Sequence, residues 1–107
     1  MKKYKAKIKS TSLKYIKLKD SKELIMVNLE FEFYKTKLIR NINFNFIQTE
    51  NRLSKFILIL LKIANVKEWE KLIGKYITIV TYNNQIIAIE SLKEDLNIIF
   101  DEFFSGE

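Results

Sequence analysis

KYKAKIKSTSLKYIKLK, residues 3–19, alternates lysine with other residues over its first half, breaks at Ser10-Thr11-Ser12, and then resumes. Tyr4, Ala6 and Ile8 fall on one phase and Lys5, Lys7 and Lys9 on the other, the period of two that marks a half-buried strand. Three polar residues are too few for a full loop, so the break predicts a bulge or sharp bend within one long strand. A strand that long and bent can serve two sheets at once. That property points toward a small barrel.

Asp20-Ser21-Lys22 reads as a turn, after which ELIMVNLEFEFY (23–34) alternates again. Ile25, Val27, Leu29, Phe31 and Phe33 take one side; Met26, Asn28, Glu30, Glu32 and Tyr34 take the other. Beyond residues 35–37, LIRNINFNFI (38–47) opposes Ile42, Phe44 and Phe46 to Asn41, Asn43 and Asn45. Three strands with short links predict an antiparallel meander. Thr49 then has the chemistry of an N-cap for a helix beginning at Glu50, in which Leu53, Phe56, Ile57, Leu60 and Ala64 keep helical spacing. KEWEKLIG (67–74) reads as a second short helix closed by Gly74.

KYITIVTY (75–82) and QIIAIE (85–90) are strands by their β-branched content. Asn83-Asn84 between them tolerates the positive φ of a two-residue hairpin turn. Ser91 and Glu94 have capping-box spacing and predict a last amphipathic helix over 91–107, with Leu92, Leu96, Ile99 and Phe103 on its stripe. The expected fold is mainly β (α+β): a five-stranded antiparallel OB-like barrel in the order βββ-α-ββ over residues 1–90. Its helical insert spans about 49–74, and the acidic C-terminal helix is appended within the same domain. An open antiparallel sheet with two helices on one face would give the same string of elements.

The chain has 107 residues and a net charge of +6, enough length for one core of its own. Residues 1–19 hold eight lysines and no acid, whereas residues 90–107 hold six acids against Lys93. Cysteine and histidine are both absent, which removes disulfides, thiolate chemistry and the commonest metal ligand and general base. No nucleophile elbow, phosphate loop or metal spacing is present, so neither a catalytic site nor a cofactor or metal is expected. The most apolar run, FILILLKIA (56–64), falls well short of the roughly 20 residues that span a bilayer. No apolar segment follows Met1-Lys2-Lys3 in the manner of a signal peptide. A soluble cytoplasmic protein is expected.

The element order over about residues 3–90, together with Gly74-Lys75-Tyr76-Ile77-Thr78-Ile79, resembles the small OB-fold single-strand-binding proteins of bacteriophages. The resemblance implies a barrel, a nucleic-acid partner and the cytoplasm of a host cell; it carries no stacking residue across position by position.

Lys5, Lys7 and Lys9 would stand about 6.5–7 Å apart along a strand, near the phosphate spacing of an extended single strand. Lys14 and Lys17 would continue that track, and Arg40 could clamp a phosphate at two points. Tyr15, Tyr34 and Tyr76 would stack on bases, with Lys75 beside Tyr76. The competing explanations are a solvated edge strand guarded by lysines and tyrosines that merely rim a core. Glu94, Asp95, Asp101, Glu102, Phe103 and Phe104 form a second candidate surface, for a host protein or a second copy of the chain. The same acids could alternatively cover the lysine track. The expected function is therefore non-enzymatic binding of single-stranded nucleic acid for a phage or mobile element. The alternative is a small phage-encoded inhibitor or adaptor that holds a host-defence protein such as a CRISPR effector.

Overall fold

The structure is a computed structural model that describes residues 1–47 and 51–105. Its strands are β1 (Lys2–Lys17), β2 (Glu23–Phe33), β3 (Ile39–Ile47), β4 (Tyr76–Tyr82), β5 (Gln85–Glu90) and β6 (Asn97–Ile99). The helices are α1 (Arg52–Ala64) and α2 (Phe100–Ser105). All six strands join one antiparallel sheet in the order β3-β2-β1-β4-β5-β6. The α+β class and the five expected strands are present. The closed five-stranded barrel is not.

The reason lies at the two ends of the strand order. With β3 and β5 terminating the five-strand set, closure would require a ladder between them. Instead β5 pairs with β6, placing Ala88 opposite Ile99 and Glu90 opposite Asn97. The sheet nevertheless curls enough that Arg40 Nη2, on β3, donates to the Asn84 carbonyl in the β4–β5 turn at 2.8 Å. Phenylalanines occupy the remaining seam. Phe44 on β3 stacks on Phe104 at 5.2 Å and meets Phe100 edge-on at 4.9 Å, while Phe46 lies 5.6 Å from Phe104. Phe56 of α1 and Phe103 of α2 complete the cluster at 5.9 Å. Each such ring pair contributes about 0.5–1.5 kcal/mol beyond its burial. Arg52 Nη1, at the start of α1, donates to the Phe104 carbonyl at 3.0 Å and ties the two helices together.

The final helix is shorter and later than the sequence suggests. Ser91 Oγ does accept from the Lys93 and Glu94 amides, at 3.3 and 3.2 Å, as a capping serine would. The Ser91 amide, however, donates to the Leu96 carbonyl at 2.9 Å, which closes a turn and returns the chain to the sheet. Burying Ile98 in β6 outweighs one more turn of an exposed helix. Residues 67–74 likewise form only a 3-10 turn at Trp69–Lys71. Thr49 and Glu50 lie outside the described residues. At the other end of α1, Asn65 adopts φ +58° and the Val66 amide donates to the Leu61 carbonyl at 3.0 Å, the Schellman way of ending a helix. Asn83 and Asn84 both have positive φ, as the hairpin requires.

β1 organises the molecule. Residues 2–7 pair with β4, and residues 6–17 pair with β2. Between Ile8 and Ser10 the register with β2 jumps, leaving Lys9 as the extra residue of a bulge. Gly74, at φ +91°, donates its amide to the Ile8 carbonyl at 2.8 Å, and the Ile8 amide donates to the Lys75 carbonyl at 2.8 Å. The chain thus enters β4 at the bulge. One face of the sheet carries Ala6, Ile8, Val27, Leu29, Phe31, Ile77 and Ile79, all with no exposure, and packs on Phe56 and Leu60 of α1.

Candidate functional site

The bulge divides the lysine stripe. Before it, Lys5 and Lys7 point to the outer face, opposite Thr78 and Tyr76. After it the phase reverses: Lys14 lies opposite Met26 on the outer face, whereas Tyr15 and Lys17 lie opposite Ile25 and Glu23 on the core side. Lys14 and Lys17 therefore leave the sheet in opposite directions, and no continuous ridge runs from Lys5 to Lys17.

Acids of neighbouring strands also interrupt the stripe. Lys3 Nζ lies 3.1 Å from Glu90 Oε1, and Lys7 Nζ lies 3.9 Å from Glu32 Oε1. Lys5, Lys9, Lys14, Lys17, Lys19 and Lys75 form no ion pair among the described residues. Arg40 projects from the core-side phase of β3, opposite Phe31, and is engaged with Asn84. That bond makes it a brace of the curled sheet. Tyr15 donates its hydroxyl to Glu23 Oε2 at 2.7 Å, and this bond to a carboxylate raises the tyrosine pKa above its ordinary value.

Three of the expected residues do come together. Tyr34 follows the end of β2, and its amide donates to the Lys5 carbonyl at 2.9 Å, which places it beside Lys5 on the outer face. Tyr76 reaches the same point from β4. The two rings meet edge-on at 6.0 Å, and Lys5 Nζ sits 4.9 Å from the centroid of each. A lysine between two tyrosine faces is held by the ring quadrupoles, at about 0.5–1 kcal/mol for an exposed contact. Both rings remain substantially exposed.

A groove of about 330 Å³ opens next to this cluster, lined by Lys3, Tyr4, Lys5, Phe33, Tyr34 and Lys35. Tyr4 and Phe33 stack at 5.0 Å. Lys3, Tyr4, Phe33 and Lys35 were not singled out as site residues by the sequence argument. The missing signal was the juxtaposition of the β2–β3 turn with the start of β1, which only the register supplies.

The acidic end behaves differently from a single surface. Glu94 and Asp95 are exposed in the turn before β6, and Asp101 and Glu102 are exposed in the first turn of α2. None of the four forms an ion pair among the described residues. Phe103 and Phe104 pack inward in the phenylalanine cluster, so the acids and the aromatics of this segment face different surroundings. Among the described acids of residues 90–105, the one that reaches a β1 lysine is Glu90 of β5.

Among the described residues no group of three or more acids is placed to hold a metal ion, and no helix is long and apolar enough to cross a membrane. The chain matches no protein-family profile and no curated protein. What defines it is an open, curled antiparallel sheet of the α+β class with a basic aromatic groove at one rim.

Proposed function

We propose that the chain is a non-enzymatic protein that binds single-stranded nucleic acid at this rim, with little preference for sequence. One observation carries the proposal: Lys3, Lys5 and Lys35 surround a groove whose walls include Tyr4, Phe33 and Tyr34, with Tyr76 alongside. Lysines offer charge to phosphates, and exposed rings offer stacking surface that every base can use. Lys5 would exchange its contacts with Tyr34 and Tyr76 for a phosphate as a base takes its place on a ring. Origin in a phage or mobile element, and action in a host cytoplasm, belong to the same proposal and rest on the sequence resemblance alone.

The test is fluorescence anisotropy of a labelled oligo-dT across a salt series, beside a duplex control. Three lysine–phosphate contacts predict a slope of about −2 for the logarithm of the association constant against that of salt. Lys5→Ala should flatten the slope by about 0.7, and Tyr34→Ala should weaken binding by about 1–3 kcal/mol with the slope intact. Absence of binding at low salt, or variants indistinguishable from the parent chain, would overturn the proposal.

A further inference from the structure

The far half of β1 has a hydrogen-bonding edge that no other strand uses among the described residues. On the β2 side, residues 10–17 are paired throughout. On the opposite side, pairing with β4 ends at Lys7, and the last bonds are those of Ile8 to Gly74 and Lys75. Parity identifies the free groups. Because the Ile8 amide and carbonyl both face β4, and the bulge adds one residue, the backbones of Thr11, Leu13, Tyr15 and Lys17 turn away from β2. A strand edge of this kind is a template for another strand.

The side chains indicate what sort of strand fits. Leu13 and Tyr15, 50% and 57% exposed, share the core-side phase and would cover apolar residues of an added strand. Lys14 occupies the outer phase and Lys17 the core-side phase, with Lys9 and Lys19 at the two ends of the segment, and none of these four is ion-paired among the described residues. The acids of this arm are already occupied. Glu23 accepts from Tyr15, Glu30 accepts from Ser10 at 3.1 Å, and Asp20 lies 3.9 Å from Lys22.

We infer that residues 10–17 receive an extended acidic segment of another protein as an added β-strand, with its apolar residues over Leu13 and Tyr15 and its acids beside Lys14. Charge complementarity selects this occupant. A second copy of the chain would bring lysine against lysine, and both copies carry +6. A nucleic-acid strand could answer the lysines and the amides but has no row of donors for the free carbonyls. This edge lies beyond the bulge from the Lys5 cluster, so the inference stands apart from the nucleic-acid proposal.

The probe is a capped eight-residue peptide alternating glutamate and valine, titrated into the labelled full chain and followed by amide hydrogen exchange. The peptide should slow exchange at Thr11, Leu13, Tyr15 and Lys17, and leave Ser12 and Lys14, already bonded to β2, unchanged. Leu13→Pro removes one edge amide without touching the β2 ladder and should weaken the peptide about tenfold, the loss of about 1.4 kcal/mol. Lys14→Glu should weaken it as well, and serves as the second variant should the proline disturb β1. Oligo-dT binding should survive both changes. No protection of the edge amides, equal binding of a lysine–valine peptide, or sedimentation showing the edge already filled by a second copy would each overturn the inference.

Discussion

The two halves of β1 are written in nearly the same alphabet and meet opposite fates. Residues 2–7 pair with β4 and from Ala6 onward with β2 as well; Ala6 and Ile8 are buried, and Lys3, Lys7 and Lys5 are met by Glu90, Glu32 and a pair of tyrosines. Residues 10–17 have β2 on one side and solvent on the other, and their lysines go unpaired among the described residues. The difference is made by Lys9, whose insertion reverses which phase faces the core, and by β4, which begins at the bulge. A lysine repeat in the sequence is thus not a single surface. Its meaning depends on how many neighbours the strand has.

The largest expected contrast is in stability. Ile8→Ala, at a site with no exposure between two strands, should destabilise the fold by about 2–5 kcal/mol in urea titrations. Leu13→Ala, five residues on and half exposed, should change it by no more than about 0.5 kcal/mol. Equal losses would mean that the two halves share one core after all. A smaller contrast separates the lysines. Lys7→Ala, which removes the contact with Glu32, should lower stability by under about 1 kcal/mol, less in high salt, whereas Lys14→Ala should leave it unchanged.

The smallest effect is a titration. Tyr15 is raised because neutral tyrosine donates to Glu23, so that bond is intact below the ordinary tyrosine range and is lost as pH climbs through the raised value. Alkaline absorbance should resolve Tyr15 as ionising above an ordinary tyrosine, and Glu23→Gln should bring it back toward the ordinary range. Ionisation of Tyr15 at an unshifted pH in the parent chain would remove the Tyr15–Glu23 contact from the picture of the free half.

Elements with a strong local pattern were legible from residues alone. The alternation of 23–34 and 38–47 matches the buried phase of β2 and β3, and the asparagine turn and the helical face of Phe56 and Leu60 stand where their chemistry puts them. That the sheet stays open was not legible, because it depends on a three-residue strand. Asn97, Ile98 and Ile99 carry too little pattern to compete with a helical stripe running from Leu92 to Phe103, and only the vacant edge of β5 decides between them. The candidate site was half legible for the same reason. Lys5, Tyr34 and Tyr76 were named singly, but their meeting is a fact of register between strands distant in sequence.

The phenylalanine seam bears on the order in which the molecule can be completed. Lys2 must wait for Thr81 before β1 gains its second neighbour, and the rings of β3, which Phe56 of α1 covers on one side, gain their remaining partners only when residues 100–104 have left the ribosome. A nascent chain with five strands already threaded out would still leave to solvent the sides of Phe44 and Phe46 that Phe56 does not meet, and the aromatic turn at 100–104 is the latch that ends that exposure.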